Sequence, residues 1–298
     1  TTAAYSPDGS GVVTASADGS ARIWDAATGV ELRQLKGHTG QVNTAAYSPD
    51  GTRIVTAGAD GTVRVWDAAG GAQVSELSGH LGQVNAAAYS ADGRSIVTAG
   101  SDGTARTWDA GTGAELQQFK GHSGQVNAAA YSPAGKTIVT GGADGTVRIW
   151  DAGSGEQLRE LRGHAGPVTA VAYSPDGTTI ATGGQDQTAR VWDAATGGEL
   201  WQRIAHAGAV YAAAFSPDGK SVLTGGQDNL ARSWDAATGA AQPQRNGHTD
   251  AITAAAYSPD GSSILTAGAD GTTRLWDAAT GAELQQLFVQ TPTVSAAA

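Results

Sequence analysis

The chain has 298 residues, a formal net charge of −10 and only 15% charged residues. An acidic, sparsely basic surface argues against nucleic acid, where affinity comes from phosphates neutralised by Lys and Arg, and against anionic membranes. The absence of cysteine excludes a disulfide framework and a thiolate zinc site. No apolar run is long enough to span a membrane and no signal peptide is visible, so the cytoplasm is the favoured location.

A Trp-Asp pair recurs every 42 residues along the whole chain. The seven tryptophans of these pairs are Trp24, Trp66, Trp108, Trp150, Trp192, Trp234 and Trp276. A period of this length, held without an insertion, is the signature of a repeat protein. A single 42-residue unit buries too little apolar surface to fold alone, so the sequence predicts one domain over residues 1–298.

Residues 38–79 show the elements of one unit in chain order. Ser-Pro-Asp-Gly at 48–51 predicts a turn, and Asp60-Gly61 predicts a hairpin between two β-rich runs. The predicted strands are 42–48, 53–58, 62–67 and 73–77. Four short antiparallel strands, repeated seven times without helical periodicity, predict an all-β fold: a seven-bladed β-propeller whose blades are four-stranded antiparallel sheets.

Gly-His, Asp-Gly and Trp-Asp at this spacing resemble the WD-repeat (WD40) family of seven-bladed β-propellers, and the resemblance covers essentially the entire chain. Ala- and Gly-rich segments such as DAATGAELQQL look more like the bacterial members. The resemblance implies a non-enzymatic scaffold for a protein or peptide partner. Similar bacterial propellers are often attached to signalling proteins such as kinases. This chain carries no kinase motif and no methionine, even at position 1, so we expect a piece excised from a larger signalling protein.

The last six Trp-Asp units each also carry a His, a Thr and an Asp at fixed offsets. The six sets are His38, Thr56, Asp60 and Trp66; His80, Thr98, Asp102 and Trp108; His122, Thr140, Asp144 and Trp150; His164, Thr182, Asp186 and Trp192; His206, Thr224, Asp228 and Trp234; His248, Thr266, Asp270 and Trp276. A catalytic Thr-His-Asp system would need an exposed hydroxyl and an oxyanion hole. Six identical copies indicate structure instead. The family resemblance implies a hydrogen-bonded tetrad in which the indole meets the hydroxyl, the hydroxyl meets the imidazole, and the imidazole meets Asp.

No metal, cofactor or catalytic site is predicted. The six histidines occur one per unit, so no local motif supplies two zinc ligands. The Asp-rich turns lack the spacing of a calcium-binding loop. We therefore expect a protein that is not an enzyme.

The first unit departs from the pattern because it has Thr14, Asp18 and Trp24 but no histidine. The residue at the histidine phase is Gln290, whose amide can both donate and accept a hydrogen bond. The tetrad of blade one is therefore either incomplete or completed by Gln290.

The two ends of the chain overlap in repeat phase, since residues 295–298 correspond to residues 1–4. We assign to blade one about residues 1–37 plus a C-terminal strand at 293–298. Pairing of the two terminal segments would close the ring and remove the free sheet edges.

Units five and six contain the other departures. By analogy with the family, the third and fifth positions after the Gly-His histidine, and the position before the turn Asp, lie on the face commonly used to bind partners. We add Asn229, which follows the turn Asp in unit six. The partner-binding candidates are then Pro167, Thr169, Gln185, Ala209, Tyr211, Gln227 and Asn229. Tyr and Trp are typical interface anchors, although Trp201 is expected on the outer rim instead of this face. Neutral drift within the array is the competing explanation.

Three functions stay open. The leading hypothesis is a monomeric scaffold that binds a protein or peptide. An engineered or recently amplified array without a selected partner would explain the unbroken period. A small-molecule-binding propeller would need convergent acidic or His residues in the top loops of one blade, and none stands out beyond the repeated set. A polar ring over the channel mouth could bind a polar ligand, but recent duplication is its favoured explanation; the ring is formed by Gln41, Gln83, Gln125, Asn43, Asn85 and Asn127.

Overall fold

The computed structural model describes residues 2–288, which form 28 strands and no helix. The strands are arranged as seven separate four-stranded antiparallel sheets, each built from consecutive strands. The prediction of an all-β, seven-bladed propeller is confirmed. No membrane-spanning helix is found within residues 2–288.

The strands are numbered in chain order, four to a blade. Blade one has β1 (Ala3–Tyr5), β2 (Gly11–Ala15), β3 (Ser20–Asp25) and β4 (Glu31–Lys36). Blade two has β5 (Val42–Tyr47), β6 (Arg53–Gly58), β7 (Val63–Asp67) and β8 (Gln73–Leu77). Blade three has β9 (Val84–Tyr89), β10 (Ser95–Gly100), β11 (Thr104–Asp109) and β12 (Glu115–Lys120). Blade four has β13 (Val126–Tyr131), β14 (Thr137–Gly142), β15 (Thr146–Asp151) and β16 (Gln157–Arg162).

The last three blades follow the same order. Blade five has β17 (Val168–Tyr173), β18 (Thr179–Gly184), β19 (Thr188–Asp193) and β20 (Glu199–Ile204). Blade six has β21 (Val210–Phe215), β22 (Ser221–Gly226), β23 (Leu230–Asp235) and β24 (Ala241–Asn246). Blade seven has β25 (Ile252–Tyr257), β26 (Ser263–Gly268), β27 (Thr272–Asp277) and β28 (Glu283–Phe288).

The turn between the first two strands of blade two shows why the sequence folds locally in this way. The Ser48 hydroxyl donates to Asp50 Oδ1 at 2.6 Å and accepts from the Arg53 N–H at 2.9 Å. Gly51 follows with a φ of 72°, a left-handed conformation that glycine adopts without steric cost. The Ser-Pro-Asp-Gly turn is therefore held by hydrogen bonds of its own side chains.

The hydrophobic core is divided among the seams between successive blades. In the first seam, Trp66 of blade two, only 2% exposed, packs with Val13 and Leu35 of blade one. The described residues form seven such clusters. Each blade thus buries its apolar faces only against its neighbours, as expected for a repeat protein.

The seventh cluster closes the ring. Ala3 and Trp24 of blade one pack with Leu265 and Leu287 of blade seven. The first strand of blade one is supplied by the N-terminal segment, with Ala3 paired to Thr14. The expected docking of residues 293–298 in blade one lies outside the described residues.

Trp201 lies on the outermost strand of blade five, β20, as expected, but it is buried instead of exposed at the rim. Its side chain packs with Ala205 and Trp234 in the seam between blades five and six. The indole Nε1 donates to the backbone oxygen of Ala236 in blade six at 2.8 Å. The Arg203 guanidinium lies 5.9 Å from the indole centroid. Trp201 therefore joins these two blades.

Replacing Trp201 by alanine should lower the free energy of unfolding by about 3–5 kcal/mol, because a large buried ring is lost and a cavity remains. The neighbouring Leu200 is 53% exposed and gives a matched control. Leu200→Ala should change stability by less than about 0.5 kcal/mol. Equilibrium denaturation of both variants measures the difference, and equal losses would place Trp201 outside the packed seam.

Candidate functional site

In blades two to seven, four side chains are joined by hydrogen bonds in one order. The Trp Nε1–H donates to the Thr hydroxyl at 2.8 to 3.0 Å. The Thr hydroxyl lies 2.7 to 2.9 Å from His Nε2. His Nδ1 lies 2.7 to 3.1 Å from the Asp carboxylate. We call each set of four a tetrad. It links the third strand of its blade to the second strand and to the loop that enters the blade.

The tetrad of blade four shows the protonation that this geometry requires. His122 Nδ1 faces Asp144, which when ionised only accepts, so Nδ1 carries the proton. Nε2 then accepts from the Thr140 hydroxyl, which in turn accepts from Trp150. Burial lowers the pKa of His122 below its ordinary value, and Arg148 adds to the effect, although Asp144 opposes it. The imidazole is therefore neutral in the folded chain.

The Asp of each tetrad is held by more groups than the sequence reasoning identified. In blade two, Asp60 also accepts from the Thr39 N–H at 2.9 Å and from the Thr62 hydroxyl at 2.9 Å. Burial acts to raise the pKa of Asp60, but these donors and the Thr62 N–H outweigh it and lower the pKa to about 2. Thr62 is repeated as Thr104, Thr146, Thr188 and Thr272. The recurrence of this Thr two residues after the turn Asp was the sequence signal that could have identified it as a partner of the Asp.

The tetrads are unsuited to nucleophilic catalysis. The six Thr side chains of the tetrads are fully buried. Each hydroxyl already accepts from an indole and contacts an imidazole, so no substrate carbonyl can reach it. Within residues 2–288, no group of three or more His, Asp or Glu side chains is placed to hold a metal ion.

Blade one has no histidine, and its turn Asp is paired with an arginine. Trp24 Nε1 still donates to the Thr14 hydroxyl at 2.9 Å. Arg22 Nη2 donates to Asp18 at 2.6 Å, while its buried Nη1 has no hydrogen-bond partner among the described residues. Gln290, the expected fourth member, lies outside the described residues, and its role stays a prediction.

Blade six has a different arrangement around its Asp. Leu230 stands where the other blades have a Thr or, in blade one, a Ser, so Asp228 lacks that hydroxyl. Arg232 Nη1 occupies the space and donates to Asp228 at 2.7 Å. In blade three the equivalent Arg106 Nη1 donates outward to Glu115 at 2.6 Å, and only Nη2 reaches Asp102, at 3.4 Å. In blade six the Glu115 position is Ala241, which offers no side-chain acceptor and leaves Arg232 free to turn inward.

Three of the partner-binding candidates have structural roles. The Thr169 hydroxyl donates to the Gly183 and Val210 backbone oxygens and so links blade five to blade six. The Pro167 backbone oxygen accepts from the Gln185 N–H at 2.9 Å. Ala209 is only 7% exposed. The Thr169 hydroxyl is therefore used between blades and Ala209 is buried, whereas the half-buried Pro167 contributes its backbone oxygen only.

The expected polar ring over the channel mouth is also partly committed to structure. Asn43 Nδ2 donates to the Val84 backbone oxygen of the next blade at 2.9 Å. Asn85 and Asn127 make the same bond to the following blades at 2.9 Å. The asparagines therefore connect neighbouring inner strands, and this N–H of each side-chain amide is not free to bind a ligand.

The remaining candidates are available at the surface. Gln185 and Gln227 are exposed, and Gln227 Oε1 accepts from the Ala209 N–H at 3.2 Å. Tyr211 occupies in blade six the position of the bridging Asn in blades two to four. Within residues 2–288, Tyr211 has no hydrogen-bond partner and is half-buried. Blade six thus gives up an inter-blade hydrogen bond and places a phenol there.

Two adjacent turns on this face are strained. In the part of the chain described, the non-glycine residues with positive φ are Gln187, at 71°, and Asn229, at 67°. Glycine holds the equivalent turn in other blades, as Gly61 does with a φ of 80°. A side chain in this region costs roughly 1–3 kcal/mol, less for Asn than for Gln. The sequence reasoning missed Gln187, although a Gln after the turn Asp was a visible signal.

Ile204 was also missed. It is 77% exposed at the end of β20, where the other blades have Lys36, Ser78, Lys120, Arg162, Asn246 and Phe288. Its Cα is paired with that of Thr188, beside Gln187. We call Gln185, Gln187, Ile204, Tyr211, Gln227 and Asn229 the blade five–six surface.

The family model described as WD domain, G-beta repeat matches the chain seven times. The matched residues are 1–25, 29–67, 71–109, 113–151, 155–193, 198–235 and 241–277. The chain belongs to this WD40 family. Propellers of the family are typically protein-interaction scaffolds and are generally non-enzymatic. A comparison with curated proteins gave no match.

Replacing His122 by alanine should lower the free energy of unfolding of this WD40 propeller by about 1–3 kcal/mol, because Thr140 and Asp144 lose a buried partner. The His122 side chain is 2% exposed, so water does not replace the imidazole without rearrangement. Urea denaturation gives the value. Unchanged stability together with a lost activity would overturn the structural interpretation of the tetrad.

The WD40 propeller should become less stable as the pH falls from about 7.5 to about 5.5. Burial lowers the pKa of all six tetrad histidines in the folded chain, so the unfolded chain takes up protons first. Below its ordinary pKa of about 6.5, each histidine contributes at most about 1.4 kcal/mol per pH unit to this loss of stability. The Asp carboxylates of the tetrads keep their charge in both states over this window.

Denaturation at several pH values measures this slope. The His122→Ala variant should show a shallower slope, because it has one histidine fewer. A slope near zero in the unaltered chain would mean that the histidines take up protons equally in the folded and unfolded chains, and stability that rises as the pH falls would mean that the folded imidazoles are protonated.

Proposed function

We propose that this WD40 propeller is a non-enzymatic scaffold that binds a protein or peptide partner through the blade five–six surface. The observation that carries the proposal is the pair of left-handed turns at Gln187 and Asn229. Glycine, which the other blades use, would relieve the strain in both turns. Local strain that the fold does not require is typical of functional sites.

The surrounding side chains support the same location. Gln185 and Gln227 are exposed, the Tyr211 phenol replaces a bridging amide, and Ile204 is an exposed aliphatic group beside Gln187. Thr169 and Ala209 are left out of the proposed surface because the Thr169 hydroxyl bonds to the next blade and Ala209 is buried, and Pro167 because its side chain offers no hydrogen-bonding group. Aromatic side chains are enriched among the residues that contribute most to binding.

A small-molecule site is less well supported. The opposite face carries clefts between blades three and four, two and three, and six and seven, with volumes of about 510, 490 and 540 Å³. They are lined mainly by Ser, Asp and Tyr residues that recur in most units, so the repeat itself generates such clefts. A dedicated ligand site would differ from its six counterparts.

An engineered or recently amplified array explains the regularity of blades two to four. It gives no reason for two strained turns side by side. The proposal retains from the sequence a monomeric state, a cytoplasmic location and origin in a larger bacterial signalling protein.

A pull-down with three baits tests the proposal: the unaltered parent chain, a surface variant and a control variant. The surface variant carries Gln187→Gly, Asn229→Gly and Tyr211→Asn, which restore the residues of the regular blades. The control variant carries Gln41→Ala and Gln83→Ala on the same face of blades two and three. A protein retained by the parent and the control but lost from the surface variant is the expected result.

Retention of the same proteins by all three baits would overturn the proposed location. A thermal melt of each bait checks that the fold is kept. The glycine substitutions should leave the melting temperature unchanged or raise it, because the strain of two left-handed turns is removed.

A further inference from the structure

We propose that the cleft between blades three and four binds a small, uncharged polyhydroxy ring of the sugar type. We call it the three–four cleft; among the residues that line it are Asp92, Ser95, Thr107, Leu116, Tyr131 and Ala134. It lies on the face opposite the blade five–six surface, so the proposal is independent of the scaffold function. The repeat generates the cleft, but Thr107 and Ala134 are departures from the repeat.

The inner end of the three–four cleft, which has a volume of about 510 Å³, carries three hydroxyl groups. Ser95 and Thr107 belong to blade three and Tyr131 to blade four. Ser95 and Tyr131 are half-buried, whereas Thr107 is only 1% exposed. The Thr107 hydroxyl has no hydrogen-bond partner among the described residues. A buried hydroxyl without a partner is destabilising and uncommon, and therefore asks for an explanation.

The Tyr131 phenol connects this buried hydroxyl to the open part of the cleft. Burial raises the pKa of Tyr131 to about 12, against the opposing effect of the nearby Ser95 and Thr107 hydroxyls. The phenol is therefore neutral, and each of the three hydroxyls can both donate and accept. Between blades four and five, the equivalent Thr137 and Tyr173 bond to each other at 3.0 Å. Tyr131 makes no hydrogen bond of that length within residues 2–288, so it is available to a ligand.

The Thr107 position is apolar in most blades, which have Ile23, Val65, Ile149, Val191 and Leu275 there. The remaining blade has Ser233, whose hydroxyl already accepts from Arg245 at 2.8 Å. Tyr5 and Tyr89, in the clefts between blades seven and one and between blades two and three, also have unpartnered hydroxyls. Those two phenols belong to clusters with Leu275 and Val65 instead of a second buried hydroxyl. Thr107 therefore makes the three–four cleft different from these counterparts.

The wall that blade four contributes lacks a carboxylate. Ala134 stands where the other six blades have Asp8, Asp50, Asp92, Asp176, Asp218 and Asp260. The clefts between blades two and three, six and seven, and seven and one are each lined by two of these aspartates, whereas the three–four cleft is lined by Asp92 alone. One carboxylate attracts a cation less than two do, and none of the residues that line this cleft is a Lys or Arg that could hold an anion.

The outer part of the cleft combines an acceptor with an aliphatic surface. Asp92 Oδ1 accepts from the Ser90 hydroxyl at 2.7 Å and from the Arg94 N–H at 3.1 Å. Asp92 Oδ2 accepts from no group within residues 2–288, so it can accept from ligand hydroxyls. Leu116, which is 56% exposed, adds the aliphatic surface. A sugar ring has hydroxyls around its edge and C–H groups on its faces, which matches this combination of a few polar groups beside an apolar wall.

Saturation-transfer NMR on the full chain tests the proposal. The neutral probes are glucose, galactose and mannose, each paired with its cationic 2-amino form and its anionic uronate. At least one neutral sugar should bind at millimolar concentration, and more tightly than both of its charged forms. Absence of saturation transfer to all three neutral sugars would overturn the proposal. A charged form that binds the unaltered chain more tightly than its neutral parent would overturn the ligand class.

Thr107→Val, which introduces the residue of blades two and five, should weaken the bound sugar about three- to tenfold, because the phenol loses the hydroxyl that positions it. Thr273→Val is the matched control, since Thr273 is also fully buried, has an unpartnered hydroxyl and lines none of these four clefts. It should leave the Kd unchanged. Neither substitution should lower the melting temperature, because a methyl group replaces an unsatisfied hydroxyl of the same shape. Equal Kd values for the two variants would contradict the role of Thr107.

Ala134→Asp restores the second carboxylate and tests the location through charge. It should raise the affinity of the 2-amino sugars relative to their neutral parents by about threefold or more, because an ammonium group gains a nearby opposite charge. The substitution returns the turn of blade four to the Ser-Pro-Asp-Gly sequence of its neighbours, so the fold should be kept. An unchanged affinity ratio would place the bound sugar outside the three–four cleft.

Discussion

The seven tryptophans of the Trp-Asp pairs are each buried against the preceding blade, and each donates its indole N–H to a buried threonine. The two roles depend on each other. A ring this large could not enter the seam if its polar atom had no partner there. The threonine, in turn, is oriented by a histidine and an aspartate in blades two to seven. The apolar seam and the polar tetrad are therefore one unit, repeated around the ring.

Repetition spreads the stability of the molecule over seven seams. No seam holds the whole fold, so one blade can depart from the pattern while its neighbours keep it in place. Blade six departs most from the pattern, because it combines Leu230, an Arg232 that donates to Asp228, and Asn229 in the left-handed conformation. On the other side of the same seam, Trp201 and Arg203 tie blade five to the turn of blade six. A firm seam lies beneath the surface that carries the strained turns, which suits a site that must keep its shape.

Much of the fold followed from the sequence, because strand length, turn chemistry and period are all local. The strands of blade two were predicted at 42–48, 53–58, 62–67 and 73–77 and lie within one residue of that. The candidate surface was less predictable. Tyr211 and Gln185 stood out by position, whereas the Thr169 hydroxyl proved to be used in a bond to the next blade. The difference depends on whether a side chain finds a backbone partner in the next blade, and spacing along the chain does not reveal that.

By itself, the sequence determined the number of blades, the strands within them and the residues of the tetrads. Each of these features depends on a pattern that is repeated at fixed spacing and read within one unit. Only the tertiary structure decided that Trp201 is buried in a seam, that the asparagines of blades two to four bridge blades, and that Gln187 is strained. These properties depend on what the neighbouring blade presents, and on backbone torsions that a residue type permits but does not impose.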